Sequence, residues 1–88
     1  MLPYFVYVLH SEKDNQLYTG YTSNLQRRLQ EHMDGLSKST APRRPLHLIF
    51  YEAYLNKNDA TRREKYFKTT KGKRALKIML RSTFEDLS

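Results

Sequence analysis

The sequence has no cysteine, so neither a disulfide framework nor a thiolate zinc site is available to it. Its longest apolar run, Tyr4 to Leu9, is too short for a membrane span or for the apolar region of a signal peptide. Acidic residues are scarce where basic ones gather. Between Lys57 and Arg81, ten Lys or Arg meet only Asp59 and Glu64, a local excess of +8 in a chain whose net charge is +7. No internal repeat, low-complexity tract or second domain interrupts the 88 residues. The expectation is one small domain with a modest core, in the cytoplasm, with no membrane partner and no small-molecule cofactor.

A basic half on a small domain is the electrostatic footprint of a nucleic-acid binder, although a solubilising helix surface gives the same excess. Seven tyrosines scattered among the charges favour nucleic acid. Tyrosines also fill small cores.

Taken in order, Tyr4 to His10 (YFVYVLH) is β-rich and apolar throughout, the pattern of a strand covered on both faces. Ser11 to Gln16 is a polar hairpin loop, and Leu17 to Tyr21 the return strand. An even number of loop residues places Tyr7 and Tyr18 on one face of the hairpin, together with Phe5 and Leu9. A first helix follows from about Asn24 to Asp34, with Ser23 and Gln26 forming a capping box and Gly35 a left-handed stop. Ser37 to Pro45 is a polar surface loop, and Leu46 to Tyr54 a third strand. Asn56 or Asn58 caps a second helix running to about Thr69. Gly72 breaks the pattern, and a third helix spans about Lys73 to Leu80. The order β-β-α-β-α-α predicts an α+β fold, a small three-stranded antiparallel sheet flanked by helices.

The stretch from Tyr18 to His32 (YTGYTSNLQRRLQEH) concentrates the polar chemistry. At 100° per residue Leu25, Leu29, Met33 and Leu36 form a core-facing stripe. His32 falls inside that stripe, Arg28 at its edge, and Arg27 points to solvent. On the second helix Ala60, Glu64 and Phe67 share a face, which turns a carboxylate inward. Packing alone explains this poorly.

Phe5-Val6-Tyr7, then Tyr18-Thr19-Gly20, then Asn24-Leu25-Gln26-Arg27-Arg28-Leu29-Gln30-Glu31-His32, and later Glu64, together resemble the GIY-YIG nuclease superfamily, in its small single-domain type. The resemblance runs from about Tyr4 to Lys68. It implies the same sheet and helices, and phosphodiester hydrolysis with one Mg²⁺ or Mn²⁺. By it Tyr7 is the general base, Tyr18 positions water or phosphate, and Arg28 contacts the scissile phosphate. His32 orients the site and Glu64 holds the metal. Bland readings stand beside these: an ion pair of Glu64 with Lys68, a snorkelling Arg28, and tyrosines and a histidine satisfied in a core. Gly20 is read as easing a tight backbone turn before the helix. Tyr21 stands where some members carry lysine. His10 and His47 lack any metal-ligand spacing.

Arg27, Lys65, Lys68, Lys71, Lys73 and Arg74 are the expected backbone contacts to nucleic acid. Two departures from the family pattern stand out. The first motif is Phe-Val-Tyr rather than Gly-Ile-Tyr, and no asparagine follows Asn58, where some members have one in the active site. The reading is a metal-dependent DNA endonuclease domain, suited to repair or recombination, with branched or damaged DNA as substrate and RNA as the open alternative. A catalytically weak or inactive nucleic-acid-binding module is its rival, and an RNA- or ribosome-associated basic protein a third.

Overall fold

β1 (Tyr4–Ser11) is apolar along its length because it is the central strand of the sheet. β2 (Leu17–Thr22) and β3 (Leu46–Tyr54) pair with it antiparallel on either side, in the order β2-β1-β3. The computed structural model describes residues 2–88. Four helices complete it: α1 (Leu25–Met33), α2 (Lys57–Phe67), α3 (Thr70–Met79) and α4 (Arg81–Leu87). A 3₁₀ turn, Ala41–Arg43, lies between α1 and β3. The α+β architecture and element order are as expected, with α4 as an addition. Nothing local announces α4: Leu80 offers it no side-chain cap, and it buries no residue fully.

Alternation along β1 divides the core between the two faces of the sheet. Tyr7 and Leu9 pack with Leu46, Leu48 and the α1 residues Leu25 and Leu29. Val6 and Val8 pack on the other face with Ala60 and Phe67 of α2 and Leu76 of α3. β3 serves both faces through a bulge. Val8 pairs with Phe50 but Leu9 with Leu48, so Ile49 is the extra residue. The inserted residue reverses which side chains face which layer. Leu46 and Leu48 therefore point to α1, and Phe50 and Tyr54 to the opposite core.

Two local expectations about α1 shift and one holds. Asn24, not Ser23, caps α1: its Oδ1 accepts the Arg27 amide at 3.1 Å, while Thr22 Oγ1 accepts the amide of Asn24 at 3.0 Å. Met33 and Leu36 are exposed, so the inward stripe of α1 ends at His32. Gly35 does stop the helix, at φ +75°.

Gly72, read as a helix breaker, lies inside the first turn of α3, where Thr69 Oγ1 accepts its amide at 3.0 Å. A Cβ at Gly72 would collide with the Tyr66 carbonyl oxygen, so the missing side chain lets α3 close against the end of α2. Helix propensity alone favours Gly72→Ala by about 1 kcal/mol. The expected result is the reverse, a destabilisation of about 2 kcal/mol or more from backbone collision. Chemical denaturation of the two proteins measures it, and a more stable variant would refute the close approach.

Candidate active site

Three elements converge on one buried phenol. Tyr7 sits mid-strand on β1 and is 1% exposed. Its Oη lies 2.8 Å from Nε2 of His32, which α1 presents from its last inward position with no exposure at all. Tyr18 on β2 shares their face, its ring centroid 6.4 Å from Tyr7 and 5.3 Å from His32. The register explains the placement. Tyr18 pairs with Leu9, two residues from Tyr7 and so on the same side.

Gly20 stands directly opposite Tyr7 across the β1–β2 ladder. A Cβ there would strike the Tyr7 phenol, so glycine makes room for the ring to lie across β2. Its task is this clearance within a regular strand, not the tight turn expected before the helix.

His32 is held from its other side as well. Nδ1 lies 2.7 Å from Oγ1 of Thr40, which is fully buried. Thr40 and the buried Ser37 belong to the segment read as a surface loop. That segment instead folds under α1, and Ser37 Oγ is 3.5 Å from Arg28 Nη2. No periodicity or spacing in the sequence points to Thr40; only the tertiary contact does.

Arg28, half-buried, forms an ion pair with Glu31 at 3.0 Å and reaches the phenol electrostatically. Burial pushes the Tyr7 hydroxyl up to about 12, with the charges of Tyr18 and Glu64 adding to it and Arg28 opposing. The Arg28 cation favours the phenolate, but burial outweighs it. His32 is held below its ordinary value by burial first and then by the Arg28 charge, so its imidazole is neutral at neutral pH. A neutral imidazole between two hydroxyls donates through one nitrogen and accepts through the other.

Glu64, with 21% of its side chain exposed, accepts from Lys68 Nζ at 3.1 Å and is near enough for its charge to act on Tyr7. Among the described residues no group of three His, Cys, Asp or Glu is placed to hold a metal. One carboxylate suits a hard cation that keeps most of its water, as Mg²⁺ does, and not a zinc cage. His10 instead bonds Asn15 at 2.6 Å, and His47 pairs with Glu12 at 3.2 Å. Arg27, Lys65, Lys68, Lys71, Lys73 and Arg74 are all exposed. Of these, Lys68 and Lys73 line a groove beside Tyr18.

A strand tyrosine, a facing Tyr-x-Gly strand and a helix delivering arginine and histidine are the elements of a GIY-YIG catalytic domain, and the chain belongs to that family, whose model matches residues 3–77. Within it the chain is similar to a UPF0213 protein of Staphylococcus haemolyticus, 40% identical over 80 residues covering 90% of this chain and 96% of the relative. The UPF0213 protein YazA of Bacillus subtilis is 44% identical over 77 residues, 85% of this chain and 77% of its own. The solution NMR structure of a UPF0213 protein from Bacillus halodurans superposes with a TM-score of 0.56 at 33% identity, covering 86% of this chain and 83% of that one.

Two outcomes follow from the geometry. Thr40→Val strands His32 Nδ1 in a buried site and is expected to cost about 1–3 kcal/mol, most of it restored in Thr40→Ser. Equal stability of the valine and serine proteins in urea would contradict this. Tyr7 keeps its proton in the fold up to about pH 12, whereas an unfolded tyrosine releases it near pH ~10. The stability linked to the neutral phenol is therefore full below pH ~10 and lost as pH rises through about 12. Tyr54, raised to about 12 by burial and by its bond to Glu52, acts in the same window. Denaturation midpoints across that range should fall less steeply in Tyr7→Phe than in the parent, and parallel curves would mean an unperturbed phenol.

Proposed function

We propose that the chain is a divalent-metal-dependent endonuclease that hydrolyses phosphodiester bonds of DNA. The observation that carries this is the 2.8 Å bond between Tyr7 and His32, buried where both Arg28 and Glu64 act on the phenol. Phosphodiester hydrolysis needs an activated water, a cation against the phosphate, and charge stabilisation at the leaving oxygen. With Mg²⁺ or Mn²⁺ held by Glu64, the ion would supply Lewis-acid stabilisation of the phosphate oxygens.

The remaining steps fall to the side chains. A tyrosine raised to about 12 is a phenol at neutral pH, so it cannot wait as a phenolate. In this reading the hydroxyl donates to His32 Nε2 while Nδ1–H donates to Thr40. As Tyr7 Oη takes a proton from the attacking water, its own proton passes to Nε2. The new P–O bond forms as the bond to the leaving oxygen breaks, and that oxygen takes a proton from solvent. The imidazolium left behind is disfavoured by burial and by Arg28 in the free protein, and the anionic phosphate would compensate both. Arg28 presents a planar fork to the phosphate oxygens, and Tyr18, its ring tilted against the pair, positions the water. DNA repair or recombination is the setting this chemistry suits.

The rival reading, a nucleic-acid-binding module without turnover, draws on two observations. Tyr7 is 1% exposed, and Glu64 is already engaged by Lys68. Nicking of supercoiled plasmid separates the two. With Mn²⁺ or Mg²⁺ the parent should nick and with EDTA it should not, and Glu64→Gln and Tyr7→Phe should each lower the rate by about 10²-fold or more. A folded, DNA-binding parent that never nicks with either ion would decide for the binding module.

A further inference from the structure

We propose that the groove between β2 and α3 is the track for the phosphate backbone of the DNA strand that enters the site, and that Lys73 and Lys77 are its principal phosphate contacts. The proposal rests on the nuclease reading for the identity of its ligand. The groove encloses about 290 Å³. Its floor is apolar, from Leu17, Phe67 and Leu76, and its rim carries Lys68, Lys73 and Lys77. No carboxylate lines it. A slot with three cations, no anion and an apolar floor is complementary to a polyanion with apolar sugar edges.

Continuity with the candidate active site selects nucleic acid over an acidic protein. Tyr18 belongs to both: it lines the groove and its ring packs against His32 and Tyr7. Lys68 also belongs to both, lining the groove while its ammonium holds Glu64. A strand lying in the groove is thereby led to the phenol and the carboxylate. Lys73 and Lys77 stand one helical turn apart on α3, so their ammonium groups can meet neighbouring phosphates along one strand. Neither makes an ion pair among the described residues, so both charges remain available. β2 is an edge strand, and Leu17, Tyr18 and Thr19 of it line the groove.

This placement divides the basic surface. Lys65, Lys71 and Arg74 sit on the same two helices but do not line the groove. Lys77, which the sequence pattern did not single out for binding, does.

The test is equilibrium binding of a fluorescein-labelled DNA oligonucleotide in EDTA, by anisotropy across a salt series. Lys73→Gln/Lys77→Gln is compared with Lys65→Gln/Lys71→Gln, which removes the same charge outside the groove, with circular dichroism to confirm that both fold. The groove pair is expected to weaken binding about tenfold or more and to lower the log–log salt slope by about two, the outer pair by less than about threefold. Equal losses from the two pairs would mean a diffuse basic surface and overturn the proposal. So would a parent that binds no DNA at low salt, which would leave an acidic protein as the groove's partner. Binding that depends on the groove in a parent that never nicks would sustain the track and sink the nuclease reading. Nicking that survives the groove substitutions with unchanged binding would do the opposite.

Discussion

A tyrosine hydroxyl buried at the centre of a sheet must find a hydrogen-bond partner or cost the fold a stranded polar group. Tyr7 finds His32, and much of the neighbouring structure is arranged so that it can. Gly20 is bare because the ring lies across it. α1 must run close enough to deliver His32 from its final inward position, which is why Leu25 and Leu29 pack on Tyr7 and Leu9. The chain after α1 must then fold back beneath the helix so that Thr40 closes the far side of the imidazole. Each member of Tyr7–His32–Thr40 is satisfied only if the others are in place, so the network fixes strand, helix and loop relative to one another.

The opposite face of the sheet has a different organisation. There the core contacts are apolar, from Val6 and Val8 to Ala60, Phe67 and Leu76, with one part-buried ion pair beside them, Arg63 to Glu52 of β3. The bulge at Ile49 lets β3 contribute to both layers, which a strictly alternating strand of its sequence would not do. Gly72 brings the start of α3 against the end of α2, and this sets Lys73 and Lys77 beside β2. A packing detail in the apolar layer thus decides where positive charge stands beside the sheet edge that carries Tyr18.

Burial serves order here and opposes chemistry. It raises Tyr7 and lowers His32, so the free protein holds both groups neutral. A pair so poised can pass a proton without either member carrying a standing charge, and an arriving phosphate and cation would change the balance of fields around it. Glu64, kept partly exposed and tethered by Lys68, is a carboxylate whose charge reaches the phenol.

The three strands and first three helices in their order, the inward turn of His32 and Glu64, and the shared face of Tyr7 and Tyr18 were determined by the sequence itself, because they follow from periodicity and hairpin register over a few residues. The ordered motifs carried the family for the same reason: each is local, and only their spacing adds information. The end of the α1 stripe at His32, the helical start at Gly72 and the clearance at Gly20 were decided by the tertiary structure, since each depends on what lies across from the residue. Thr40 is the clearest case. Nothing in SKSTAPRRP distinguishes it from a surface threonine until the chain folds back over eight residues to meet His32. The groove is another, because Tyr18 and Lys77 are far apart in the chain and become neighbours only when α3 packs beside an open sheet edge.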